Sequence, residues 1–133
     1  MIAIVKSNFN EEITDKLLDS CTNELDTHKI HYVLFKVAGA FEIPFVVKKL
    51  LDTNKYKAII AIGSVIRGDT YHFETIANES ARALMNLNME GKTPVINGIL
   101  TCNTDKQAED RICKGADFAK TALEMINICA KLN

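Results

Sequence analysis

Apolar residues along the chain recur in two rhythms, one suited to strands and one to helices, and the two alternate four times. Ile2 to Lys6 is a short β-branched run, closed by Ser7-Asn8-Phe9-Asn10, residues that end strands and start helices. From Glu11 to about Thr27, Ile13, Leu17, Leu18, Cys21 and Leu25 recur at three- and four-residue spacing, with charges between them. That spacing predicts an amphipathic helix whose stripe faces a sheet. His31 to Val37 alternates and is rich in strand formers, Gly39 breaks it, and Phe41 to Leu51 returns to helical spacing. Lys57 to Ile66 is almost continuously apolar, as expected of a central strand covered on both faces. The polar turn Arg67-Gly68-Asp69-Thr70 leads into a helical stretch from about His72 to Asn88. Gly91-Lys92-Thr93-Pro94 then opens a strand from Val95 to Thr101, and Lys106 to Leu132 reads as helical with a break near Gly115.

Strands and helices that alternate with short linkers predict a parallel sheet wound on both faces. The expected architecture is a flavodoxin-like α/β three-layer sandwich, with a four-stranded parallel sheet and one domain over residues 1–133. Such sheets bind ligands beyond the carboxyl ends of their strands. That rule nominates Ser7 to Asn10, Ala38 to Ile43, Gly63 to His72 and Asn97 to Asn103.

Composition narrows the function. Of 133 residues 47% are hydrophobic and 25% charged, enough for a real core and too apolar for a disordered chain. Sixteen basic residues against seventeen acidic ones give a net charge of −1, spread without a basic face, which argues against nucleic-acid binding. No apolar run approaches the roughly 20 residues of a membrane span, and no signal-type segment follows Met1, so a cytoplasmic protein is expected. Cys21, Cys102, Cys113 and Cys129 form no CxxC pair and no ligand spacing with histidine. They read as small buried hydrophobes, with neither disulfide nor metal.

The densest chemistry lies in G-S-V-I-R-G-D-T-Y-H-F-E, Gly63 to Glu74. Its two glycines permit a tight turn, and the amides near Gly68, Asp69 and Thr70 lie where a helix start favours an anion. The other reading is that Asp69 and Thr70 merely cap the helix. His72, just past the turn, is placed to move protons; His28 and His31 read as surface residues. Glu42, in G-A-F-E-I-P, sits between apolar neighbours and needs a hydrogen-bonding ligand there, unless it is simply an acidic residue favoured by a helix N-terminus. Phe9 lies in a polar turn, available to stack on a planar ring or to fold back on the core. Arg111 and Lys114, three apart on a helix, share a face that either holds an anion or is solvated. These residues describe a small-molecule site with an anion seat, an aromatic platform and one histidine, and they leave the reaction open.

Across nearly its whole length the chain resembles the 6,7-dimethyl-8-ribityllumazine synthases, the penultimate enzymes of riboflavin biosynthesis. The resemblance is carried by Phe9-Asn10, by G-A-F-E-I-P at Gly39 to Pro44, by Gly63 to Glu74, and by P-V-I-N-G-I-L-T at Pro94 to Thr101. Q-A-E-D-R at Gln107 to Arg111 and K-G-A at Lys114 to Ala116 follow in family order. It implies condensation of 5-amino-6-(D-ribitylamino)uracil with 3,4-dihydroxy-2-butanone 4-phosphate, without cofactor or metal. Phe9 would stack on the pyrimidine, and Ala40, Phe41, Glu42, Ser64, Val65 and Ile66 would line the uracil and ribityl pocket. Asp69, Thr70 and Arg111 would bind the phosphate, and His72 would move protons. The resemblance also implies a homopentamer whose pockets lie between adjacent subunits, with Asn97, Arg111 and Lys114 supplied by the neighbour. Two departures stand out: Asn97 replaces a common Phe, and the segment between Arg111 and the Lys114-Gly115 pair is several residues shorter than usual. The alternatives are an archaeal-type riboflavin synthase and a non-catalytic flavin- or lumazine-binding protein of the same fold.

Overall fold

In the computed structural model, which describes residues 1–133, four parallel strands pair in the order β2-β1-β3-β4. They are β1 (Ile2–Ser7), β2 (Tyr32–Val37), β3 (Ala58–Ile66) and β4 (Val95–Cys102). The expected central strand is β3, interior to the sheet and buried from Ala58 to Ser64. Winding reverses between β1 and β3, so the two inner strands part at their carboxyl ends.

Helices cover both faces, as the alternation predicts. Helix α1 (Glu11–Thr27) and α5 (Lys114–Leu132) seal one face around Ile4, Leu17, Cys21, Ile60, Ile62 and Ala119. On the other face α2 (Ile43–Thr53) and α3 (His72–Met89) cover Ala3, Val5, Ile59 and Ala61 with Val47, Leu51 and Leu84. A 3₁₀ turn, Ala40–Glu42, precedes α2, so the helical spacing that begins at Phe41 covers two elements. No helix is long and apolar enough to cross a membrane.

The C-terminal third breaks near Gly115, as expected. The helical pattern divides into a short α4 (Asp105–Glu109) and α5, and the break falls at residues 110–113, before Gly115. Gly115 instead lies in the first turn of α5, buried against α1. A Cβ there would stand 2.3 Å from the Leu17 carbonyl oxygen and 2.7 Å from the Ser20 Cβ. The glycine is a helix-crossing residue, where only a missing side chain lets two backbones meet. Ser20 completes the junction, its hydroxyl accepting from the Ala116 amide at 3.0 Å.

One further reading is corrected. Cys21 and Cys102 are buried, but Cys113 is exposed and Cys129 only partly covered, because Cys113 lies in the surface turn between α4 and α5. Lys6, at the end of β1, has a fully buried side chain whose Nζ lies 2.6 Å from Asp15 Oδ1 on α1. It also donates to Asn8 Oδ1 at 3.3 Å, so the buried ammonium is partnered.

Candidate active site

The carboxyl ends of β1, β2 and β3 open into a cleft of about 560 Å³. Its rim begins at the turn after β1. Asn8 and Phe9 donate their amides to the Val37 and Ala38 carbonyls at 2.8 and 2.9 Å, extending the β1–β2 pairing past the strand ends. Asn10 takes a left-handed conformation, φ 58°, and makes no side-chain cap on α1. Its amide instead donates to the Ser64 carbonyl at 2.9 Å, tying the turn to β3. Phe9, between these anchors, is held outward with 68% of its surface exposed, lining the cleft and not folded onto the core.

The 3₁₀ turn supplies the second wall, with Ala40, Phe41 and Glu42 all on the cleft. Glu42 is exposed, not enclosed among apolar neighbours, because the chain turns outward as α2 begins. Its Oε1 would be 3.1 Å from a Cβ on Gly39, so the glycine leaves room for the carboxylate to fold over it.

The third wall is the end of β3 and the start of α3. Ser64, Val65 and Ile66 line the cleft, followed by Gly68, Thr70 and His72. The two glycines of this motif do different work from a tight turn. Gly63 is inside β3, against Ser7 Oγ and Ile43, while Gly68 has open space around its Cβ position and no left-handed backbone. An absent side chain at Gly68 thus keeps the backbone amides of the turn approachable from the cleft. Capping does not use up those groups: Tyr71 precedes α3 without a side-chain cap, and Thr70 Oγ1 accepts from the His72 amide only at 3.4 Å. Asp69 is exposed on the same turn but does not line the cleft. Beneath the floor, the hydroxyls of Ser7 and Ser64 are buried without a hydrogen-bond partner in the protein.

Three expected residues lie elsewhere. Asn97, on the edge strand β4, is exposed and its Oδ1 accepts from the Ile99 amide at 3.0 Å. Arg111 and Lys114 do not share a helical face: Arg111 is in the turn after α4 and Lys114 opens α5. Both are exposed, and Arg111 donates to the Gln107 carbonyl at 2.9 Å. None of the three lines the cleft of its own chain. His28 and His31 are on the surface, as expected, with His28 2.9 Å from Glu24 one turn earlier.

Sequence reasoning missed Phe73, Thr75 and Ile76, which complete the cleft from α3. The signal was present in their helical spacing from His72, which puts His72, Thr75 and Ile76 on one face of the first turns. The cleft is therefore largely apolar, with Glu42, Ser64, Thr70, His72 and Thr75 as its polar side chains. Such a surface takes a flat, partly polar molecule carrying an anionic group toward the α3 start.

Fold and cleft together define a parallel α/β protein that binds a small molecule at the switch point of its sheet. Residues 1–130 match the family described as 6,7-dimethyl-8-ribityllumazine synthase. The chain is 44% identical over 136 aligned positions to the 6,7-dimethyl-8-ribityllumazine synthase of Nitrosomonas europaea, covering 99% of this chain and 83% of that one. It is 42% identical to the proteins of that name from Burkholderia mallei and Burkholderia pseudomallei, covering 99% of this chain and 79% of theirs. The chain belongs to the 6,7-dimethyl-8-ribityllumazine synthase family.

Proposed function

We propose that this protein is the transferase that condenses 5-amino-6-(D-ribitylamino)uracil with 3,4-dihydroxy-2-butanone 4-phosphate, giving 6,7-dimethyl-8-ribityllumazine, phosphate and water in riboflavin biosynthesis. The observation that carries the reading is the convergence of Phe9, Glu42, Thr70 and His72, from three separate segments, on one cleft in a chain that matches this family over residues 1–130.

Phe9 stacks on the pyrimidine, against Val65 and Ile66, and Glu42 accepts hydrogen bonds from ribityl hydroxyls. Ala40, Phe41 and Ser64 complete the ring and ribityl pocket. The butanone phosphate seats on the open amides around Gly68 and Thr70, with Asp69 in the same turn. The pyrimidine's amine attacks the ketone and a first water leaves to give the imine; phosphate is eliminated to leave an enol that tautomerises to a carbonyl, and the ribitylamine attacks that carbonyl, a second water leaving as the ring closes. His72 carries protons through these steps. No step transfers electrons or hydride, so acid–base groups and positioning suffice, with neither cofactor nor metal. Because amine and ketone react on their own, holding them in register supplies much of the acceleration.

We further infer a homopentamer, acting in the cytoplasm, in which residues 1–133 form one catalytic domain. Asn97, Arg111 and Lys114 then reach the pocket of the adjacent subunit, Asn97 and Lys114 at its ring substrate and Arg111 at its phosphate. This is supported by the exposure of all three outside their own cleft, and by the exposed Phe45, Met85 and Met89 on α2 and α3.

The test is turnover. Purified protein is mixed with both substrates, and lumazine formation is followed by absorbance beside an enzyme-free blank and Arg111→Ala. The expected result is a rate well above the blank that falls in the variant. A rate equal to the blank, from folded protein that still binds lumazine or flavin, sinks the synthase reading in favour of a sibling enzyme or a binding protein.

A further inference from the structure

Arg67 stands between Ile66 and Gly68, both of which line the cleft, yet it does not line the cleft itself. Its guanidinium is committed in three other directions. The Nε donates to Asn103 Oδ1 at 2.8 Å, one terminal nitrogen pairs with the Glu74 carboxylate, and the guanidinium carbon lies 4.6 Å from the centroid of the Phe73 ring. Phe73 and Glu74 belong to the first turn of α3, directly after His72. Asn103 belongs to the loop after β4.

The contacts continue from that loop. The Asn103 amide donates to Gln107 Oε1 at 2.8 Å, Gln107 lies in α4, and the Gln107 carbonyl accepts from Arg111 Nη1 at 2.9 Å. A run of side chains and backbone thus joins Arg67, Asn103, Gln107 and Arg111. Half-exposed ion pairs contribute little stability, so the value of this arrangement lies in direction. A planar guanidinium fixes two donors and a stacking face at set angles, and a lysine ammonium cannot do so.

We propose that Arg67 is a positioning residue that sets the anion-binding turn, the Phe73 wall and the Arg111 guanidinium as one unit. The proposal rests on the reading above, in which Arg111 binds the substrate phosphate. With Arg111 serving the adjacent subunit, Arg67 links the pocket beside it to the cation of the next pocket. Each site's phosphate geometry then depends on an arginine that stands beside a different pocket.

Asn103→Ala cuts the run while leaving Arg67 on Glu74 and Phe73, and Arg67→Lys keeps the charge and removes the fork. Inorganic phosphate is titrated by calorimetry into the assembled wild type, into these two variants, into Arg111→Ala and into the Asn103→Ala/Arg111→Ala double variant. KM is measured for each substrate, with thermal unfolding as the check on folding. Asn103→Ala is expected to weaken phosphate binding and raise KM for the butanone phosphate roughly fivefold, with KM for the pyrimidine unchanged and no further loss in the double variant. Arg67→Lys is expected to lose phosphate affinity to a similar degree. Normal phosphate affinity in Asn103→Ala, additive losses in the double variant, or full affinity in Arg67→Lys overturns the proposal while the phosphate role of Arg111 stands. Normal affinity in Arg111→Ala removes that role, and the proposal with it.

Discussion

Burial decides what individual side chains can do here. Cys21 is enclosed between α1, α5 and the sheet, and that burial pushes its thiol up to about 12 from its ordinary 9.0. The unfolded chain's thiol therefore ionises first. Below pH 9 this cysteine's contribution is fully present and does not vary with pH; between 9 and 12 it erodes by about 1.4 kcal/mol per pH unit. Urea unfolding across that window is expected to show a steeper alkaline loss in the wild type than in Cys21→Ala. Alkylation of folded protein is expected to mark exposed Cys113 first and to spare buried Cys21 and Cys102. Lys6 presents the reverse case, a cation that burial tolerates because Asp15 and Asn8 meet it. Asp15 is itself half exposed, so Asp15→Ala is expected to cost about 2 kcal/mol, below the full penalty for orphaning a buried charge. Denaturant midpoints would measure it, and Lys6→Met/Asp15→Ala should recover most of the loss. At the cleft, His72→Gln is expected to slow turnover by about 100-fold or less, the low end for a positioned acid–base group, because positioning carries the rest. Single-turnover rates would separate that step from product release.

The strands and the first three helices were legible because each has one dominant period. β3 reads as a buried strand from Ala58 to Ile62 without interruption, and α1 keeps its stripe from Ile13 to Leu25. The break near Gly115 was legible, but the role of the glycine itself was not, since glycine in a helical pattern signals a stop when its neighbours in space are unknown. Only the fold shows α1 crossing at that point. The same limit applies to the site. Motifs at strand ends identified Phe9, Glu42, Thr70 and His72, but Phe73 was not singled out, and Arg67 has a partner that lies 36 residues on, at Asn103. Local spacing carries no trace of such a contact. Gly115→Ala tests the crossing: a Cβ 2.3 Å from the Leu17 oxygen must push α5 off α1, at an expected cost of about 3 kcal/mol. Gly98→Ala is expected to act likewise from the sheet side, where the added carbon meets the Ala61 oxygen at 2.6 Å and the Phe118 ring at 2.7 Å. Thermal unfolding of both variants would rank them, and wild-type stability in Gly115→Ala would show that α5 shifts freely.

At the scale of the whole molecule, the expected residues divide into a group around the cleft and a group outside it. If Arg111 serves the adjacent subunit, two crippled variants should help each other. Arg111→Ala mixed in equal amounts with a His72→Gln/Glu42→Gln variant, after subunits are allowed to exchange, is expected to regain about a quarter of the wild-type sites, since one site in four then draws both halves intact. Activity equal to the mean of the separate proteins would show each chain using its own Arg111. The strand order has a further consequence for the lone chain. β2 and β4 each border only one neighbour, and Tyr32 to Val37 reads Y-V-L-F-K-V, strand-forming residues with a single charge and no proline. Such an edge is a template for any passing strand. If the chain assembles as proposed, a subunit set free by dilution or mutation is a nucleus for aggregation, and light scattering should rise wherever assembly fails. The burden of keeping this sheet soluble falls on whatever shields its two borders, so a substitution there is answerable to solubility as well as to the fold.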